Sequence, residues 1–250
     1  MKRFAGQVAV VSGGADGLGK GIAERIAAEG GTVALFDINE QLLEETVHAF
    51  KSRGLAVSGH VVDISSEEMV RESFAAVQTA YGRIDVMVNS AGIIGPTSTK
   101  ITEYSTEAFD QIYAVNQKGT FLMTKYAIKA MEKANYGRIL LMASIAGKEG
   151  NPGMVGYSTT KSAVIGLVKS VGKEYAETGI RINGLAPAVI KTAMVENADP
   201  AQVAYMVSRI PMNRLGTVEE VAAMSAWIVS QECSFSTGFI FDLTGGRATY

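Results

Sequence analysis

The sequence predicts an α/β protein with a doubly wound, parallel sheet of about seven strands and helices on both faces. Short β-branched runs alternate with longer stretches of helical periodicity, and strands separated by helices form βαβ units with parallel strands. Runs such as Val8–Val11 and Ile139–Met142 are apolar throughout, which is typical of strands covered by helices on both sides. No internal repeat or linker interrupts the pattern, so residues 1–250 are expected to form a single domain.

The predicted elements follow one another at the spacing of βαβ units. Ser65, followed by Glu68, predicts a capping box that opens a helix through Ala80, and Gly82 is expected to end that helix. Around residues 190–212 the connection is longer than an ordinary loop. This length predicts a lid over the substrate site. The predicted strands are Val8–Val11, Val33–Phe36, Val57–Val62, Val86–Val88, Ile139–Met142, Ile180–Leu185 and Phe239–Leu243.

Composition excludes several classes of function. The net charge is −2 with no basic cluster, which disfavours nucleic acid as a partner. One cysteine, Cys233, and two histidines, His48 and His60, offer neither an internal disulfide nor metal-ligand spacing, so no metal is expected. No apolar run is long enough to span a membrane, and a cytoplasmic protein with a small-molecule substrate is therefore expected.

The first strand runs into a glycine-rich turn before a helix. Gly13, Gly17 and Gly19 allow the backbone to approach a diphosphate, which the N–H groups of the helix N-terminus then bind. Asp37, at the end of the second strand, is placed to accept both hydroxyls of an adenine ribose and to repel a 2′-phosphate. Asp16 adds a second negative charge, and together these features predict a Rossmann-type site for NAD rather than NADP.

A second constellation predicts proton transfer. Tyr157 and Lys161 lie four residues apart and share one face of a helix. A nearby ammonium lowers the pKa of a phenol, which makes Tyr157 a usable general acid or base. Ser144 ends the preceding strand, at the edge of the sheet where doubly wound folds bind ligands.

With these motifs in order, the chain resembles the short-chain dehydrogenase/reductase family over essentially its whole length. The Ser-Gly-x-x-x-Gly-x-Gly turn and the Tyr-x-x-x-Lys pair carry the resemblance. It implies that Ser144 polarises a substrate carbonyl, Tyr157 donates the proton, and Lys161 lowers the pKa of Tyr157 and holds the nicotinamide ribose. It also implies that Asn116 holds a water for a proton relay; a kink within the helix is the alternative reading, and the two are compatible.

The resemblance implies a set of residues around the cofactor. Asp63 is implied to bond the adenine amino group, Asn89 to lie beside the adenine ribose, and Thr192 to bind the carboxamide. The expected cofactor-binding residues are Gly13, Asp16, Gly17, Leu18, Gly19, Asp37, Ile38, Asp63, Ile64, Asn89, Ala91, Gly92, Tyr157, Lys161, Pro187, Ile190 and Thr192.

The substrate is less strongly determined. Ser144 is expected to contact it, Lys148 to meet a carboxylate and Asn151 a hydroxyl, with a solvated surface role as the alternative for Lys148. The stretches 145–152 and 241–250 resemble the 2-keto-3-deoxy sugar-acid 4-dehydrogenases, which oxidise a secondary hydroxyl with NAD. A 3-oxoacyl-[acyl-carrier-protein] reductase is the alternative enzyme, and an NAD-binding regulator without catalysis is the alternative of another class.

Assembly is also implied by the resemblance, since the family usually forms homotetramers. The helix after Tyr157 carries apolar residues with small Gly166 and Gly172 between them, a composition that suits either a helix–helix interface or packing on the sheet. The segment 247–250 is hypothesised to reach a neighbouring subunit and help to close its site.

Overall fold

One parallel sheet organises the molecule, for which a computed structural model describes residues 2–192 and 200–250. Its seven strands lie in the order β3-β2-β1-β4-β5-β6-β7 and every neighbouring pair is parallel. The predicted fold class is therefore confirmed. The strands are β1 Val8–Ser12, β2 Thr32–Asp37, β3 Val57–Val61, β4 Val86–Asn89, β5 Gly137–Met142, β6 Ile180–Pro187 and β7 Ile240–Leu243.

Helices connect the strands and cover both faces of the sheet. The connection between Thr106 and Met131 is nearly continuous, but a π-helical segment, Tyr113–Gly119, interrupts it. The α-helices are α1 Gly17–Ala28, α2 Glu40–Ser52, α3 Glu67–Tyr81, α4 Thr106–Ile112, α5 Thr120–Met131, α6 Ile145–Glu149, α7 Val155–Glu174, α8 Pro200–Ser208 and α9 Val218–Ile228. The short 3₁₀ turns are Ile101–Glu103 and Glu132–Ala134.

Two apolar layers flank the sheet because successive side chains of a strand point to opposite faces. Val8 and Val10 pack with α3, α5 and α7, whereas Ala9 and Val11 pack with α1, α2 and α9. The central strands β1, β4 and β5 are buried along their whole length, as expected for a sheet covered on both sides. Their rigid carboxyl ends support the site described below.

The capping box predicted at Ser65 lies one residue too early. The Nα–H and Oγ–H of Ser65 both donate to Oδ1 of Asp63, at 2.8 and 2.7 Å. Ser66 is instead the N-cap of α3, and its Oγ accepts a hydrogen bond from Met69 N. The tight turn at Asp63 thus uses the first serine and leaves the second to cap the helix, which Gly82 ends in the left-handed conformation as predicted.

The lid predicted around residues 190–212 is described only in part, since residues 193–199 lie outside the described residues. Ile190 is buried and pairs with Gly216 in an isolated bridge, and Ile210 is also buried. No helix among residues 2–192 and 200–250 is both long and apolar enough to cross a membrane.

Candidate active site

A cleft of about 1330 Å³ opens at the carboxyl ends of the strands, where β1 leads to β2 on one side and β4 lies on the other. This reversal of strand order is where doubly wound sheets bind ligands. The predicted cofactor residues that line it are Gly13, Asp16, Gly17, Leu18, Gly19, Asp37, Ile38, Asp63, Ile64, Ala91, Gly92 and Thr192.

The glycine turn fits a diphosphate because the backbone lies where side chains would block it. A Cβ on Gly13 would lie 2.9 Å from Ala91 N, and one on Gly19 would lie 2.0 Å from the oxygen of Gly13. Gly17 has φ +55° and open space beside it. Asp16 is the N-cap of α1 but its side chain accepts no capping hydrogen bond, so the first-turn N–H groups have no side-chain cap.

Asp37 is held in a fixed orientation at the end of β2. Its Oδ2 accepts a hydrogen bond from Ala15 N at 3.1 Å, and its Oδ1 accepts one from Asn39 N at 3.0 Å. The carboxylate is only partly buried and lines the cleft. A fixed carboxylate at this place suits a ribose with two free hydroxyls and opposes a 2′-phosphate.

Asn89 does not line the cleft; it lies buried behind the residues that do. The side chain is 2 % exposed, its Oδ1 accepts a hydrogen bond from Ser12 Oγ, and its Nδ2 donates to Thr120 Oγ1. Asn89 therefore ties the glycine turn to the helix α5. Pro187 and Ile190 are likewise buried behind the cleft, on the segment that leads to Thr192.

Sequence reasoning missed the contribution of α9 to the cleft. Its first residues, with Thr217 as N-cap, line the cavity beside α1. A Cβ on Gly21 would lie 2.3 Å from Val218 Cγ1, so the two helices pack in direct contact. The available signal was the sequence Thr217-Val218-Glu219-Glu220, which forms a complete capping box.

The predicted catalytic residues converge beside the cleft. Ser144 is the N-cap of α6, where its Oγ accepts a hydrogen bond from Ala146 N at 3.1 Å, and it is hydrogen-bonded to Tyr157. Tyr157 lies in the first turn of α7, with its ring centroid 5.7 Å from Nζ of Lys161. A phenol, a hydroxyl and an ammonium are thus brought together by β5, α6 and α7.

The pKa of Tyr157 differs from the sequence-based expectation. Burial raises it above the usual value near 10, and the hydrogen bond with Ser144 opposes that rise. Nζ of Lys161 lies 5.7 Å from the ring centroid of Tyr157 and donates to the main-chain oxygen of Met142, 2.7 Å away, and the lowering of the Tyr157 pKa by Lys161 stays a prediction. Desolvation also lowers the pKa of Lys161 itself to about 8, so the lysine stays mostly protonated at neutral pH and loses its charge only above pH 8.

Asn116 lies in the π-helical segment, an irregularity of the kind at which helices bend. Its side chain pairs with both main-chain groups of Ile93, each at 2.8 Å, and donates to Thr160 Oγ1 at 3.3 Å. A Cβ on Gly92 would lie 3.1 Å from Oδ1 of Asn116 and 3.7 Å from Nζ of Lys161. Asn116 thus connects the loop after β4 to the helix α7, and its relay role stays a prediction.

The predicted substrate loop is paired within the chain. Lys148 is 9 % exposed and its Nζ contacts Oδ2 of Asp242 at 2.8 Å as well as the main-chain oxygen of Tyr250. The alternative of a solvated lysine is therefore wrong, and a substrate carboxylate would have to replace one of these partners. Asn151 N donates to Ser158 Oγ at 3.0 Å, next to Tyr157.

The segment 247–250 contacts its own chain. Arg247 forms an ion pair with Glu149 at 2.8 Å, and the hydroxyl of Tyr250 lies 3.5 Å from the main-chain oxygen of Lys148. These contacts lie within one chain, and the reach of the segment to a neighbouring subunit stays a prediction. Within the described part of the chain, no cluster of three or more His, Cys, Asp or Glu side chains is arranged to hold a metal ion.

Comparisons with known proteins agree with this geometry. The family profile described as enoyl-(acyl carrier protein) reductase matches residues 13–247. The chain is 42% identical to the NAD(+)-dependent 2-dehydro-3-deoxy-L-rhamnonate dehydrogenase of Sphingomonas sp. (strain SKA58), over 99% of this chain and 98% of that protein. It is 35% identical to the 3-oxoacyl-[acyl-carrier-protein] reductase of Thermotoga maritima, over 98% of each.

A solved structure agrees as well. The NAD⁺-bound xylitol dehydrogenase superposes with a TM-score of 0.93 at 31% identity, covering 98% of this chain and 100% of that one.

Proposed function

Because the chain belongs to the short-chain dehydrogenase/reductase family, we propose that it oxidises a secondary hydroxyl of a 2-keto-3-deoxy sugar acid with NAD. It is an NAD-dependent oxidoreductase that acts on CH–OH groups, as the sequence predicted. The observation that carries the finer assignment is the match to the sugar-acid dehydrogenase of Sphingomonas along nearly the whole of both chains.

The geometry of the site supports proton transfer at a secondary alcohol. Tyr157 accepts the hydroxyl proton, while Ser144 donates a hydrogen bond to the same substrate oxygen and orients it. Lys161, held by Met142, keeps a positive charge near the phenol when protonated. The glycine turn and Asp37 would hold the adenosine diphosphate end of NAD, which would supply the hydride acceptor for the oxidation.

The substrate loop supports a small, polar substrate. Asn151 lies beside the first turn of α7, and Lys148 brings a cation to the same side of the sheet, although it is paired with Asp242. An anionic, hydroxylated substrate is compatible with these side chains, since its carboxylate can exchange with Asp242 as the partner of Lys148.

The reduction of a 3-oxoacyl group on a carrier protein is the second candidate. The match to the Thermotoga reductase favours it. Lys133 and Lys173 are exposed, but two lysines make a small target for an acidic carrier protein. Asp37 also opposes NADP, on which reductases of that kind usually depend.

The experiment that separates these candidates follows NADH absorbance in the purified protein. NAD or NADP is supplied with 2-dehydro-3-deoxy-L-rhamnonate, its fuconate counterpart and simple polyols, and reduction of a 3-oxoacyl thioester is run in parallel. We expect oxidation of a deoxy sugar acid with NAD, lowered roughly 10²–10⁴-fold in Tyr157→Phe, with NADH binding retained. Thioester reduction with NADPH alone would overturn both the substrate and the cofactor assignments.

We also propose that the protein works in the cytoplasm as a homotetramer. Trp227 and Phe239 are exposed, and their rings both contact the ring of Phe241 on the edge strand β7, which makes an aromatic surface that suits contact with a second copy. On α7, Val164 and Val168 pack on the sheet rather than outward. Sedimentation of the purified protein, with and without Phe239→Ser, tests this assembly.

A further inference from the structure

The helix α6 joins the catalytic serine to the substrate loop and is only five residues long. A helix of this length is not stable by itself, so its neighbours determine its position. On its inner side it lies against α7, where a Cβ on Gly147 would be 2.7 Å from the main-chain oxygen of Lys161. Ser162 Oγ also donates to the main-chain oxygen of Gly147 at 2.7 Å.

The segment Thr244–Tyr250 holds the outer side of α6. Thr244 is buried, its Oγ1 accepts a hydrogen bond from Ala248 N, and its main-chain oxygen accepts one from Arg247 N. Gly245 and Gly246, with φ +60° and +89°, permit the turn between Thr244 and Arg247. This turn directs the side chain of Arg247 towards the end of α6.

The guanidinium of Arg247 makes a two-point contact there. Its Nε and Nη2 donate to Oε2 of Glu149 at 3.0 and 2.8 Å. The Arg247 side chain is 11% exposed and that of Glu149 24%, so the pair is better shielded than an ordinary surface ion pair. Arginine makes such contacts in a fixed geometry, which a lysine ammonium cannot reproduce.

The same guanidinium reaches the substrate loop. Nη2 of Arg247 lies 3.4 Å from Oδ1 of Asn151, whose main-chain N–H donates to Ser158 Oγ. One side chain therefore contacts both residues that flank Gly150, and that short stretch is anchored to the catalytic helix next to Tyr157.

We propose that Arg247 is a positioning residue for the dehydrogenase site: by holding Glu149 and Asn151, it keeps α6 and its N-cap Ser144 against Tyr157. Its charge is neutralised by Glu149, so its contribution is the placement of the serine and of the substrate loop. The cofactor cleft, on the other side of the catalytic residues, does not depend on it.

The kinetic test compares Arg247→Ala and Arg247→Lys with Arg71→Ala, a matched arginine that is exposed on α3 and far in sequence from the site. We expect kcat/KM for the sugar acid to fall about 10–100-fold in Arg247→Ala, because misplacement of reacting groups by about 1 Å has effects of that size. NADH affinity should stay within about twofold, and Arg247→Lys should lose nearly as much activity as the alanine variant.

The pH profile distinguishes positioning from general destabilisation. The hydrogen bond with Ser144 lowers the pKa of Tyr157, so a displaced serine should move the ascending limb of kcat to higher pH. The exchanged pair Glu149→Arg with Arg247→Glu should restore most of the lost activity. An unshifted profile in Arg247→Ala, or equal losses of NADH affinity and activity, would overturn the inference.

The kinetic test rests on the proposed function. A second measurement does not need the substrate. Amide hydrogen exchange of the NADH-bound enzyme should become faster across residues 144–152 in both Arg247 variants and stay unchanged in Arg71→Ala. If the wild-type enzyme oxidises no sugar acid, the proposed substrate fails but the exchange result still decides the inference. Unchanged exchange across 144–152 would overturn it.

Discussion

Nζ of Lys161 donates a hydrogen bond to the main-chain oxygen of Met142, at a distance of 2.7 Å. This bond fixes the lysine of the catalytic helix α7 to the last residue of β5, two positions before Ser144. Lys161 is 6 % exposed, and among the described residues no carboxylate is a hydrogen-bond partner of its Nζ, so desolvation lowers the pKa of Lys161 to about 8. The site therefore holds a cation at a cost to stability.

Replacing that lysine by an apolar side chain of similar length should stabilise the fold while abolishing turnover. Below pH 8 the folded protein carries the buried charge, whereas above it the folded lysine is neutral and the unfolded one stays protonated up to about pH 10.5. The stability of the wild type should consequently rise from pH 8 towards 10.5. We expect Lys161→Met to be about 1–2 kcal/mol more stable at pH 7, after the loss of one hydrogen bond, with the difference shrinking at higher pH.

Urea unfolding of both proteins at pH 7 and near pH 10 measures that difference. Lys169→Met is a matched control from the same helix, since Lys169 is exposed. A Lys161→Met protein that is less stable at pH 7, or a difference that does not change with pH, would contradict the interpretation.

Ser144 should control the pH dependence of the reaction as well as its rate. Oxidation requires the phenolate of Tyr157, so its rate should rise with pH, and burial places that rise at high pH. Ser144→Ala removes the hydrogen bond that lowers the pKa of Tyr157. We expect the ascending limb of kcat/KM to move to higher pH and the rate at neutral pH to fall roughly 10²-fold. A lower rate with an unmoved limb would mean that the serine acts on the substrate alone.

The sheet could be predicted from the sequence because buried parallel strands are apolar throughout. All seven predicted strands are present, with ends displaced by at most two residues, as for Ile139–Met142 against Gly137–Met142. Local hydrogen bonds caused the displaced helix start at Ser65, since Asp63 binds that serine and leaves Ser66 as the cap. A sequence pattern does not show which of two adjacent serines caps a helix when a neighbouring carboxylate binds one of them.

The site could be predicted where it depends on local motifs. The glycine turn, Asp37 and the Tyr157–Lys161 pair each lie within a few residues of a strand or helix end. Contacts between distant parts of the chain were missed, since nothing near Lys148 indicates its partner Asp242, 94 positions away. The sequence also did not show that burial raises the pKa of Tyr157, because the burial of a side chain depends on the whole fold.

Glu29 should supply acid-sensitive stability far from the site. It follows α1 and accepts hydrogen bonds from Arg3 and Arg25, and the bond from Arg3 is the main cause that lowers the pKa of Glu29 from 4.5 to about 2. Its contribution is present above about pH 4.5 and is lost as the pH falls towards 2. Glu29→Gln should cost about 2 kcal/mol at pH 7, measured by urea unfolding, and the two proteins should converge near pH 2. As a control, Glu72→Gln at an exposed ion pair should change the free energy of unfolding by less than about 0.5 kcal/mol. A Glu29→Gln protein with wild-type stability at pH 7 would contradict the stabilising role of Glu29.

Asp37 should determine the choice between NAD and NADP. Ala15 and Asn39 fix its carboxylate towards the cleft, so the ribose hydroxyls meet an oriented charge. Asp37→Asn keeps the shape and removes the charge, and hydrogen bonds to a charged group contribute about 1.5–3 kcal/mol. We therefore expect NADH binding, followed by fluorescence titration, to weaken roughly 10–100-fold while NADPH binding becomes detectable. Asp16→Asn removes a charge that is exposed and makes no capping hydrogen bond to α1, so its effect should be smaller. Equal changes in the two variants would show that the net charge of the cleft, rather than the fixed carboxylate at the end of β2, selects the cofactor.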